Sequence, residues 1–176
     1  MRMCDQSLDI ISDKYEKTLE ELESKVKVLK YEGELEEKIM NELEYYLVES
    51  KLTAEDFIRL KVATGFMERP IEQVEKALAN DLFDVTVVYN GEVIGMGRLG
   101  GDGYMYWYLQ EIIVLPEFQG LGIGKRIVNR LLDYIRENTE PGTIVSVGLT
   151  AAAGKDTFYE KFGFSKSSGM QMYIER

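Results

Sequence analysis

Histidine is absent from all 176 positions of this chain, and with it go the commonest general base, the commonest transition-metal ligand and every histidine-containing nucleophile array. Any chemistry must run on carboxylates, tyrosines, lysines, backbone groups or water. Cysteine is nearly as scarce. The one residue, Cys4, cannot form an intramolecular disulfide, so an oxidising compartment is not indicated and the cytoplasm is the expected location. The longest apolar stretches, such as Ile112 to Leu115, are far too short to span a bilayer, and the charged start of the chain lacks the apolar core of a signal peptide. No membrane partner is therefore expected. Basic charge is short as well: 21 Lys and Arg face 31 Asp and Glu, for a formal charge of -10. That balance excludes a broad phosphate-binding surface, so nucleic acid is not an expected partner. Acidity suits cationic partners, or simply solubility.

What is present describes a folded protein. Hydrophobic residues make up 45%, with 11 Tyr and 7 Phe against 3 Pro, and the length suits one domain with a modest appendage. From Ser7 to about Tyr31, the residues Ile11, Tyr15, Leu19, Leu22, Val26 and Leu29 recur at steps of four and three, which predicts an amphipathic helix with a short coiled-coil-like seam. A second short helix is expected over Glu34 to Glu42, then a strand at Tyr45 to Val48. The seam could pack on its own domain or on a second subunit, which makes a homodimer one candidate assembly.

Thr53 is a natural N-cap for a helix carrying Phe57, Leu60 and Val62, and a further helix follows Pro70 with Ile71, Val74 and Leu78 on one face. The stretches Val85 to Tyr89 and Glu92 to Met96 flank Asn90-Gly91, a strong signal for a tight hairpin. A third strand, Tyr104 to Leu115, follows a glycine-rich turn. After it comes a helix whose apolar residues Ile123, Ile127, Val128, Leu131, Leu132 and Ile135 form one stripe. Ile144 to Leu149 reads as a buried strand, parallel to the preceding one because a helix separates them. A short helix near Thr157 to Phe162 and a last strand, Met170 to Ile174, complete the chain. The expected class is α/β (α+β): a central mixed sheet, antiparallel in its N-terminal part, with helices on both faces.

Gln119-Gly120-Leu121-Gly122-Ile123-Gly124-Lys125 lies between strand and helix, where unpaired amides and the helix dipole favour a phosphate. Glycine lets the backbone press against a diphosphate, while Lys125 and Arg126 add positive charge. Neither the Walker spacing nor the dinucleotide fingerprint fits, since Arg126 stands where a hydroxyl residue would follow the lysine and the third glycine is missing.

The run from Glu111 to Gly124 resembles the acyl-CoA-binding signature of the GNAT superfamily of N-acyltransferases, with Gln/Arg-x-x-Gly-x-Gly after a strand ending in Val-x-Pro. Thr157 to Phe164 is similar to the family's Phe-Tyr-x-Lys-x-Gly-Phe segment. The resemblance implies a GNAT-like N-acetyltransferase domain over 43–176 behind an N-terminal helical extension over 1–42. It implies acetyl-CoA as cosubstrate and transfer of the acetyl group to an amine substrate, expected to be a small molecule, by direct attack. The alternatives are acetylation of a protein N-terminus or lysine, and an acyl-CoA sensor without catalysis. Implied cofactor contacts are Ile112, Ile113, Val114, Gln119, Gly120, Leu121, Gly122, Ile123, Gly124, Lys125 and Phe158. Backbone groups of Ile112 and Val114 would meet the acyl carbonyl and pantetheine. Tyr159 matches the general acid that protonates the departing thiolate. The family often has Asn where this chain has Ala152; Lys155 is either a substitute phosphate contact or, as the favoured reading, a solvated loop lysine.

A general base is less legible. Glu111 is the candidate carboxylate, yet strict alternation puts it on the face opposite Gln110, Ile112 and Val114. Tyr106, Tyr108 and Gln110 are expected to line the acceptor pocket, and Trp107, of opposite parity, to pack in the core.

Overall fold

The computed structural model describes residues 45–166, together with the helical position Ser24. Apart from Ser24, the expected helices over 7–31 and 34–42 and the strand over 170–174 lie outside the described residues.

Strand β1 (Tyr45–Glu49) leads through a turn into helix α1 (Ala54–Ala63). The turn is tied to the sheet by Asp84, whose carboxylate accepts the amides of Lys51 and Leu52 at 3.1 and 2.9 Å. Thr53 caps α1 as its position predicts, its hydroxyl accepting the Asp56 amide at 3.1 Å. Phe57 and Leu60 are buried, but Val62 is exposed. It lies about 140° around the helix from Phe57 and so faces away from the sheet. Helix α2 (Ile71–Leu78) follows Pro70 and buries Val74.

Strands β2 (Phe83–Tyr89) and β3 (Glu92–Gly101) form the expected hairpin, with Asn90 and Gly91 at φ 50° and 82°, the left-handed pair a two-residue turn requires. Strand β4 (Tyr106–Val114) pairs antiparallel with β3. Asp102 closes that turn by accepting the amides of Tyr106, Tyr104 and Met105, bonds that hold its carboxyl below the usual range. Helix α3 (Ile123–Asn138) then carries the chain to β5 (Ser146–Leu149), which pairs parallel with β4, and helix α4 (Asp156–Glu160) follows. Strand order is β1-β2-β3-β4-β5.

The helices take opposite faces of the sheet. Arg98 of β3 lies 5.3 Å from the Phe57 ring of α1, whereas a Cβ on its neighbour Gly97 would stand 2.4 Å from Ile127 of α3. Glycine at 97 thus lets α3 settle directly on β3. All six stripe residues of α3 are buried, and each contributes about 1.5–3 kcal/mol by leaving water. Trp107 is buried edge-on to Tyr134 of α3, as its parity predicts.

Two expectations fail in instructive ways. The run Ile144 to Leu149 is a strand only from Ser146, and Ile144 is almost wholly exposed. Among the described residues β5 pairs on one side only, so apolar content did not translate into burial. The alternation assumed along β4 also breaks. Met96 pairs with Ile113 and Arg98 with Gln110, so one residue of β3 faces two of β4, and Glu111 sits at φ 52°. This bulge resets the parity. Ile112 now points to the α3 side, against Gly97, while Glu111 reaches Lys61 on the α1 side. Glu111 therefore shares the face of Gln110 rather than opposing it.

Candidate functional site

Strands β4 and β5 pair from Tyr106 opposite Ser146 to Leu109 opposite Leu149, and there the pairing stops. β4 continues to Val114 with that edge unpaired among the described residues. The Leu115 amide donates to Ile94 O at 2.9 Å, toward β3. Alternation then turns the amides of Val114 and Ile112 to the other, open edge. The edge leads, through a turn at Pro116–Phe118, into Gly120 and Gly122, at φ 80° and 75°, and so into α3. Left-handed backbone at two positions in three is what glycine supplies without strain.

The start of α3 is uncapped. Gly122 offers no side-chain acceptor, and no acidic residue occupies the first turn. Among the described residues no side chain satisfies the free amides and the helix dipole there. Lys125 is exposed beside them; Arg126 instead lies over the Tyr45 ring at 4.9 Å. Gln119 turns back, its amide donating to Val114 O at 2.9 Å, and braces the loop against β4. A diphosphate fits this end by charge and donor geometry. Ile123 is buried in the core, so only its backbone is available to a ligand. Leu121 likewise packs against the core.

The second motif meets the first here. Phe158 of α4 sits 3.5 Å from where a Cβ on Gly124 would be, and Val114 lies 3.9 Å from the same point. Phe158 packs edge-on to Tyr159 at 4.9 Å, and Tyr159 to Phe164 at 6.2 Å. Burial disfavours the Tyr159 phenolate and raises its pKa, so the phenol keeps its proton.

A cavity of about 470 Å³ opens where β4 and β5 part, with Tyr159 on one side and Tyr108, Gln110 and Glu111 on another. The Tyr108 ring packs against Gly148, 3.2 Å from a notional Cβ, and its hydroxyl bonds Thr150. Glu111 is held by Lys61, whose ammonium reaches both carboxylate oxygens at 2.9 and 3.1 Å. Lys61 also stands 4.9 Å from the Phe66 ring, and Phe66 and Arg69 complete the wall. Beneath it, Arg98 makes two 2.6 Å bonds to Asp81 in a buried pair. Burial pushes the Asp81 carboxyl up, and the Arg98 hydrogen bonds oppose that.

Of the sequence-expected site residues, Tyr108, Gln110, Glu111, Ile112 and Ile113 gather with Tyr159 around this cavity. Tyr106 does not: it is largely exposed at the far end of β4, opposite Ser146. Lys61, Phe66, Arg69 and Thr150 belong to the wall although no motif marks them. Among the described residues no helix is long and apolar enough to cross a membrane, and no group of three His, Cys, Asp or Glu could hold a metal.

The acetyltransferase (GNAT) domain family matches residues 81–166. The chain is similar to an uncharacterised N-acetyltransferase, ycf52, of Pyropia yezoensis, 28% identical over 108 residues that make up 59% of this chain and 60% of that protein. It thus spans about three-fifths of that relative's length. An uncharacterised N-acetyltransferase ycf52-like protein of Prochlorococcus marinus is 30% identical over 129 residues, 69% of either chain. A crystal structure of a protein of unknown function from meticillin-resistant Staphylococcus aureus, described as a probable acetyltransferase, superimposes with a TM-score of 0.68 at 33% identity, covering 75% of this chain and 99% of that one. With the open edge of β4, the uncapped start of α3 and the docking of Phe158 on Gly124, these similarities place the chain in the GNAT acetyltransferase family.

Proposed function

We propose that this protein is an N-acetyltransferase moving the acetyl group of acetyl-CoA to the primary amine of a small molecule by direct attack. The observation that carries the proposal is the continuity between the open edge of β4 and the uncapped α3. The amides of Ile112 and Val114 and those of the α3 start form one ligand-facing track, with family membership naming the ligand.

On this reading, the backbone from Gly120 to Lys125 holds the diphosphate, Gln119 fixes the loop, and Phe158 packs the helix start in place. The Ile112 and Val114 amides receive the charge that develops on the thioester oxygen as the amine attacks. Tyr159 gives its proton to the departing thiolate, a task suited to a phenol kept neutral by burial. Tyr108, Gln110 and Glu111 surround the amine and can hold a water that relays its proton to the Glu111 carboxylate. Direct attack is supported by the absence of cysteine and serine from the described cavity lining, where the lone aliphatic hydroxyl, Thr150, is already engaged by Tyr108. The cavity's size and aromatic walls favour a small-molecule acceptor over a polypeptide laid along a groove.

The test is acetyl-CoA-dependent release of free thiol with a panel of amines, in the wild type and in Tyr159→Phe. Release with some amines, cut sharply by the substitution, is the expected result. Tight CoA binding with no release for any amine would replace this reading with that of a sensor.

A further inference from the structure

The acceptor wall carries a charge pattern opposite to that of the protein as a whole. The chain bears a formal charge of -10, yet three charged side chains line the cavity, Lys61, Arg69 and Glu111, and their net charge is positive. Lys61 and Glu111 neutralise one another through two hydrogen bonds. Arg69 has no ion-pair partner among the described residues. An exposed cation in the lining of a site, in a protein otherwise short of them, contributes to the local potential that an incoming ligand meets.

From this wall, and resting on the acetyltransferase reading above, we infer that the acceptor is an amine that also carries an anionic group, a carboxylate or phosphate, a few bonds from its nitrogen. A bare alkylammonium would add positive charge to a wall already positive. At Glu111 it would meet a carboxylate whose charge Lys61 already compensates, and displacing Lys61 would leave a partly buried ammonium unpaired. An acceptor with both charges exchanges with the pair as a unit. Its ammonium takes Glu111 while its anion takes Lys61 and the planar fork of Arg69, which suits carboxylate and phosphate alike. Phe66 and Tyr108 then flank whatever apolar body joins the two groups. Lys61 lies over the Phe66 ring and so retains a second favourable contact while it changes partner.

The experiment is equilibrium binding, by calorimetry on the CoA-saturated full chain, of amines matched except for the anion: phenylalanine against phenethylamine, norleucine against pentylamine, and phosphoethanolamine against ethanolamine. The first two pairs report a carboxylate site and the third a phosphate site. The wild type should favour the anionic member of at least one pair by about tenfold or more, the worth of one charge-assisted hydrogen bond. Arg69→Gln should erode that preference and Arg69→Glu abolish or invert it. Because Arg69 is exposed, both variants should fold. Equal binding within every pair, preference for the bare amines, no binding of any member, or a preference that survives Arg69→Glu would each overturn the inference. CoA affinity, measured in the same titrations, keeps the two readings apart: intact CoA binding with failed selectivity sinks the acceptor class alone, while absent CoA binding sinks the acetyltransferase reading itself.

Discussion

The starts of α1 and α3 solve the same problem in opposite ways. Every helix begins with amides that lack an internal partner. In α1 the chain answers its own need: Thr53 accepts the Asp56 amide, and Glu55 and Asp56 place negative charge in the first turn. In α3 nothing comparable is present. The cap is a left-handed glycine, the first turn has no acid, and it carries the exposed cation Lys125. A chain able to cap one helix left the other open at the point where the unpaired edge of β4 arrives. On the proposed function, α1 is structure and α3 is a binding end whose missing acceptor comes from a ligand.

Making the second end resemble the first breaks the contrast most severely. Gly122→Asp should raise the CoA dissociation constant by roughly a hundredfold or more, because a carboxylate would occupy the amides and repel the diphosphate, each charged hydrogen bond lost being worth about 1.5–3 kcal/mol. Asp and Asn both tolerate the left-handed region, so Gly122→Asn is the control, expected to lose far less in the same titration. Comparable losses in the two variants would trace the effect to backbone shape rather than charge.

Removing the acid from the chemistry, while leaving the cradle, comes next. Tyr159→Phe should lower kcat by roughly a hundredfold, a typical figure for one positioned proton donor, with CoA affinity nearly unchanged. The same residue sets a pH signature. Burial raises the Tyr159 pKa, so the phenol remains protonated through and beyond the usual phenol range. The rate should fall with rising pH only above that range, and Tyr159→Phe should lack this limb in a full pH profile.

The smallest effect belongs to the capped helix. Thr53→Ala should cost about 1 kcal/mol of stability, visible as a lower melting temperature, and leave CoA affinity within error. A shift in CoA binding here would mean that the two helix starts are coupled and the contrast between them false.

Much of this architecture is legible in the chain because local signals agree with global ones. Asn90-Gly91 permits only a tight hairpin, the α3 stripe has one period and one face, and Thr53 stands where a cap must. The glycine turn and uncapped start of α3 are legible for the same reason, since glycine spacing and helix start are both local. The acceptor side is not. Glu111 changes face through a bulge that depends on pairing with β3, and no sequence period announces it. Lys61, Phe66 and Arg69 enter the wall from the α1–α2 region only after tertiary packing. Conversely, the apolar run at Ile144 suggests a core that β5, paired on one side only among the described residues, does not provide. Residues whose role depends on a neighbour distant in sequence are the ones that reading along the chain misses.

The central claim, that the open start of α3 grips a diphosphate, meets its most direct test in a calorimetric comparison of CoA with pantetheine, which shares the thiol arm but lacks the diphosphate and nucleotide. The account predicts that CoA binds at least about a hundredfold more tightly, consistent with two charge-assisted hydrogen bonds, and that Gly122→Asp removes most of this advantage. Equal affinities for the two ligands, or an advantage that persists in Gly122→Asp, would contradict it.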